Sequence, residues 1–155
     1  IAWKGNPKHV DDRRRSIELD QYAPLAAVAG VHFVSLQKGA AAAQAQAPPP
    51  GLALHDWTAE LRDFADTAAL IAALGVVITV DTAVAHAAGA LGRPVWILHR
   101  HDGCWRWLTD RADSPWYPTA RLWRQPTPGD WRSVVAQVAA ALHGLAAQPR
   151  PPGAD

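Results

Sequence analysis

The chain has no methionine, a single cysteine, and only two tyrosines and two phenylalanines among its 155 residues. One cysteine, Cys104, excludes an internal disulfide and suits a reducing compartment. Charge of one sign is also missing: acidic and basic residues make up 19% and nearly cancel, at a formal net charge of +1. Nothing in that balance marks a nucleic-acid or anionic-membrane binder. No run approaches the ~20 apolar residues that a membrane-spanning helix needs, and no basic-then-apolar leader opens the sequence, so a cytoplasmic location is expected. The glycine fingerprint G-x-G-x-x-G is absent after the first apolar segment, as are a Walker lysine motif and the G-x-S-x-G elbow. Nicotinamide or flavin binding of the usual kind, P-loop chemistry and an α/β-hydrolase are thereby disfavoured. The opening Ile-Ala-Trp-Lys-Gly, without methionine, reads as the end of a strand entering a loop, and a piece of a longer polypeptide is expected.

What is present is apolar sequence cut into short lengths. Hydrophobic residues form 49% of the chain, enough for one full core at this length. The most informative stretch is Val76–Trp96, VVITVDTAVAHAAGALGRPVW. Its β-branched, non-alternating opening fits a parallel strand buried on both faces. Asp81 and Thr82 are good helix N-caps, the alanines permit close helix–sheet packing, and Gly92 with Pro94 stops the helix before the next strand. In a parallel sheet, ligands gather at the carboxyl ends of the strands, where Asp81 and Thr82 fall, and His86 shares a helix face with Thr82. Asp-Thr at a helix start is also an ordinary cap, so both readings stay open on local pattern alone.

Elsewhere, Ile1–Lys4 reads as the tail of a first strand, residues 5–15 as a polar loop, and Ser16 as the cap of a helix running to about Ala29. Val31–Leu36 reads as a strand. Ala40–Gly51, an Ala/Gln tract ending in three prolines, reads as a surface loop outside the core. A short strand is expected at Arg62–Phe64, then a helix capped by Asp66-Thr67. Strands at Val95–Leu98 and Arg121–Trp123 follow, then a helix from Asp130 or Trp131 to about Leu145. This alternation predicts an α/β fold, a Rossmann-like doubly wound parallel sheet over residues 1–145, with a proline-rich tail at 146–155.

Several groups should meet on the carboxyl edge: Lys4 and Asn6, Gln37 and Lys38, Asp66 and Thr67, and Asp81, Thr82, Ala83 and His86. Backbone N–H groups near Thr82 and Ala83 plus a lysine suit a nucleotide diphosphate. Asp81 would repel it, and is expected to fix the loop or bond a sugar hydroxyl. Trp105 and Trp107, just past a strand end, are candidate cleft residues, whereas Trp123 and Trp131 read as packing. His99, His101 and Cys104 form H-x-H-x-x-C, too permissive a pattern without a fourth ligand, and no metal site is expected.

The segments GNPKHVDDRRRS, FVSLQKG, DFADTAALIAAL, VDTAVAHAAGALGRPVW, WRWLTDRADSPWYP and RLWRQPTPGDW together resemble the carboxyl-terminal half of bacterial glycosyltransferases related to the heptosyltransferase family, family 9. In many of these the catalytic region follows tetratricopeptide repeats. The resemblance implies the nucleotide-sugar-binding domain of a GT-B fold. Asp81, Thr82, Ala83 and His86 match the family's D-T-x-x-x-H segment at the donor diphosphate. Lys38 matches a basic position after the second strand, and Asp66 and Thr67 a loop beside the nucleoside. It further implies a metal-independent transfer to a glycan or protein acceptor, with no cofactor beyond the donor. The general base would lie largely on the other half, with His86 the candidate on this one. A non-catalytic nucleotide-binding or structural module, or a nucleotide-sugar epimerase, are the alternatives.

Overall fold

The computed structural model describes residues 1–148, and the expected tail from 149 onward lies outside them. Six extended segments line up in parallel. Strand β1 (Phe33–Val34) pairs with β2 (Leu54–His55), and β3 (Val77–Val80), β4 (Val95–His99) and β5 (Ala120–Arg124) form a second parallel set. Residues 1–3 join the two. Ile1 exchanges backbone hydrogen bonds with Val34 and Leu36 on one side, and Ala2 with Ile78 and Val80 on the other. Counted along the chain, the sheet therefore reads third, second, first, fourth, fifth, sixth. That is the order of a doubly wound Rossmann-like sheet, whose switch point lies where the order reverses, between residues 1–3 and β3.

Helices cover both faces, which explains the non-alternating strands. Ile78, Val80 and Leu98 point into one cluster with Trp3, Leu25, Trp123, Trp131 and Val135. Val77, Val95, Ile97 and Leu122 point into the other with Ile71, Ala85, Ala88 and Trp107. Helices α2 (Phe64–Ala73) and α3 (Ala83–Ala90) supply the second cluster, and α4 (Trp131–Ala146) the first. Trp123 and Trp131 are packing residues, as read from the sequence.

The amino-terminal third differs from its sequence reading. A single helical turn, α1 (Asp12–Arg15), interrupts the expected loop, and Ser16 ends it instead of capping a later helix. Its hydroxyl donates to Asp12 and accepts from the Gly5 N–H, at 3.0 and 2.9 Å. The segment after it is a 3-10 helix, Leu19–Ala27, with Pro24 inside. A proline there lacks the N–H an α-helix would use and clashes with the preceding turn. The Ala/Gln tract is not a bare loop either. Ala40–Gln46 forms a 3-10 helix, and Gln44 ties it to the preceding one by accepting from Leu19 N–H and donating to Glu18.

No strand forms at Arg62–Phe64; the third sheet segment is Leu54–His55, and Phe64 opens α2. The cap of α2 is Asp63, not Asp66-Thr67: Asp63 accepts from Asp66 N–H at 2.9 Å, while Asp66 reaches back to Arg62 N–H at 2.9 Å. This reciprocal arrangement is close to a capping box and begins the helix one turn early.

Candidate functional site

Helix α3 is fixed at both ends by sequence. Thr82 caps it, accepting from Val84 N–H at 3.3 Å and lying 3.2 Å from the Thr79 hydroxyl. The Ala83 N–H, first in the helix, has no intrahelical acceptor. At the far end Gly92 adopts φ 65°, and Gly92 and Arg93 N–H groups return to Gly89 and Ala88, a Schellman motif. The positive end of this helix faces the switch point.

There the carboxyl ends of the strands open onto a cleft of about 1130 Å³. Its lining brings together Lys4, Asn6, Gln37, Lys38, Thr67, Asp81, Thr82, Ala83, His86 and Trp105, ten residues singled out from sequence. Asp66 is not among them; its carboxylate serves the start of α2 and pairs with Arg62 at 3.2 Å. Trp107 is not among them either. It is fully buried, with its ring stacked beneath His86 at 5.3 Å and 19°, so its place is under the cleft floor. Trp105 remains 69% exposed at the rim, with the Arg106 guanidinium 4.8 Å above its ring.

The two lysines are engaged. Lys38 donates to the carbonyls of Thr58 and Leu61 at 2.7 and 2.8 Å, bracing the loop before α2, and Lys4 pairs with Glu18. Gln37 clamps the first loop instead of facing a ligand, its amide oxygen accepting from the Trp3 and Lys4 N–H groups. The further cations of the cleft are Arg15, Arg100 and Arg106. Arg15 donates to the Asp81 carbonyl at 3.0 Å and leans on Asp12. Arg100 lies 3.0 Å from Asp11, whose carboxyl it holds below the ordinary carboxylate range. Arg14 pairs with Asp102, tying the α1 loop to the loop after β4.

His86 projects from α3 into the cleft. Its Nδ1 lies 3.1 Å from the Tyr117 hydroxyl, and its Nε2 lies 3.9 Å from an Asp81 carboxylate oxygen. His99 and His101 point elsewhere: His99 Nδ1 contacts Arg124 and the Arg100 carbonyl, and His101 contacts Gln125. Among the described residues no group of three or more His, Cys, Asp or Glu side chains is placed to hold a metal ion.

The profile of glycosyltransferase family 9 (heptosyltransferase) matches residues 30–107, half of the chain, from just before β1 through the cleft helix to Trp107. The chain belongs to glycosyltransferase family 9. This family 9 chain is also similar to Protein FlbA of Caulobacter vibrioides, at 30% identity over 151 residues, 95% of this chain and 25% of FlbA. It thus spans about a quarter of that relative's length. No solved structure matches it. No helix among its described residues is long and apolar enough to cross a membrane.

The α3 start, its cap and His86 stood out from a local pattern. Arg15, Arg100 and Tyr117 did not, because their partners lie 66 residues away for Arg15 and 31 for Tyr117. The Arg13–Arg15 run was visible as charge, but only the fold shows which arginine turns inward.

Proposed function

We propose that this domain binds the nucleotide-diphosphate sugar of a metal-independent glycosyltransferase. The carrying observation is the convergence of the α3 amino terminus, His86, Arg15 and Arg100 on one cleft at the sheet's switch point. A diphosphate seated there would accept from the Ala83 N–H and from His86, with the helix dipole adding to the two guanidiniums. Asp11 and Asp12 hold those arginines in place and would give way, in part, to phosphate oxygens. Asp81, beside His86, suits a sugar hydroxyl better than phosphate.

As the bond between the anomeric carbon and the phosphate oxygen breaks, negative charge accumulates on the departing diphosphate. Fixed donors aimed at that charge lower the barrier without a metal, and deleting one such donor in comparable sites costs ~10²–10³ in rate. Thr67, in the cleft lining, would border the nucleoside, and the exposed Trp105 face offers a stacking surface at the rim. The acceptor, a glycan or protein, and the general base would be supplied largely by an amino-terminal Rossmann half facing this one across the cleft, within a chain that also carries tetratricopeptide repeats. A cytoplasmic location accords with a nucleotide-sugar donor.

Calorimetric titration with UDP, ADP and GDP sugars tests this. One donor should bind saturably, with Thr82→Ala and Arg15→Gln each weakening it about tenfold, the loss expected for one charge-assisted or helix-terminal contact. Unaltered affinity in both variants would contradict the reading.

A further inference from the structure

His86 sits in a cradle built by two aromatic residues. Trp107 stacks against one ring face, Tyr117 approaches the ring from the edge with centroids 5.7 Å apart, and the Tyr117 hydroxyl meets Nδ1 at 3.1 Å. The cradle depends on Gly89, one turn along α3. A Cβ there would lie 2.4 Å from Tyr117 Cγ, so only glycine lets the tyrosine lie across the helix.

Which nitrogen of His86 carries the proton follows from its two neighbours. Phenol O–H is a good donor and its oxygen, conjugated with the ring, a poor acceptor, whereas a neutral imidazole nitrogen accepts well. Tyr117 therefore donates to Nδ1. On the other side, Nε2 faces the Asp81 carboxylate at 3.9 Å, a field that favours an N–H and disfavours a lone pair. Both contacts select the same state, with hydrogen on Nε2. Protonation of the ring would add a hydrogen at Nδ1 and leave Nε2–H unchanged.

We infer that Tyr117 is a positioning residue that locks His86 as an Nε2–H donor aimed into the cleft, ready for an anionic ligand before that ligand arrives. The identity of the anion, a nucleoside diphosphate, rests on the function proposed above; the locked donor does not. Tyr117 acts through His86 and is placed on no ligand itself, being absent from the cleft lining.

The test is nitrogen-15 NMR of the histidine rings in the full chain at neutral pH without ligand, in wild type and in Tyr117→Phe, followed by titration with UDP, ADP and GDP. The phenylalanine keeps the packing against Gly89 and Trp107, and the melting temperature should change little. His86 should show the Nε2–H tautomer alone in wild type and a tautomer mixture in Tyr117→Phe, with affinity for the bound diphosphate about fivefold weaker, the worth of one hydrogen bond. A wild-type His86 protonated on Nδ1, or identical ring spectra in the two proteins, would overturn the inference. If the ring spectra behave as expected and no diphosphate binds, the donor site is refuted and the Tyr117–His86 lock stands.

Discussion

Among single residues, His99 carries the sharpest consequence for stability. It is 1% exposed at the carboxyl end of β4, and burial, aided by the neighbouring Arg124 charge, pushes its pKa from 6.5 down to about 4. The folded chain thus holds a neutral imidazole where the unfolded chain takes a proton at ordinary acidity. Stability from this group is complete above pH 6.5 and is lost as pH falls toward about 4, a span worth about 3 kcal/mol. Urea unfolding at pH 7 and at pH 4.5 should therefore show a smaller acid loss in His99→Asn than in wild type; equal losses would contradict the assignment. Gly89 supplies the second residue-scale prediction. Gly89→Ala forces Tyr117 off the helix, and should cost about 1–3 kcal/mol through overpacking, measured by the same method.

Elements show where sequence sufficed and where it did not. The segment from β3 to β4 was readable almost to the residue, because every signal in it is local: a β-branched run, Thr82 as cap, Gly92 in the left-handed conformation, Pro94 beyond. Its caps should behave as ordinary caps. Gly92→Ala should destabilise by about 1 kcal/mol through left-handed strain, and Asp63→Ala, at the head of α2, by a similar ~1 kcal/mol through the lost N-cap bond. Thermal melts that leave either variant unchanged would contradict these roles. Where the amino-terminal third departs from the sequence pattern, the reasons are equally physical. Leu54–His55 is a two-residue strand with no periodicity to detect, and its pairing with Phe33–Val34 is decided by neighbours distant in sequence. The 3-10 helices at 19–27 and 40–46 share composition with an α-helix and a loop, and only Pro24 and the Gln44 contacts distinguish them. At the head of α2 the signal is local: two aspartates three apart mark a capping arrangement, and the first of them, Asp63, is the cap.

Across the whole molecule, the sheet order makes the site. Reversal of the strand order between residues 1–3 and β3 leaves a crevice at the carboxyl edge, and the loop at 5–15 folds over it through Ser16, Arg14 and Arg15. Position along the chain foretold which strand ends would gather, and ten of the singled-out residues do line one cleft. The charges that complete it come from the single turn α1 and from loops, whose direction no periodic pattern encodes; Lys38 braces carbonyls while Arg15 and Arg100 turn inward. The central claim is that this cleft receives a diphosphate on the first turn of α3. Backbone amide NMR of the full chain, titrated with UDP, ADP and GDP, tests it most directly. The account predicts that one nucleotide shifts the Ala83 amide most, with Val84, Gly5 and Asn6 moving alongside and α4 unmoved. Shifts confined to other surfaces, or none in a spectrum that shows the chain folded, would contradict it.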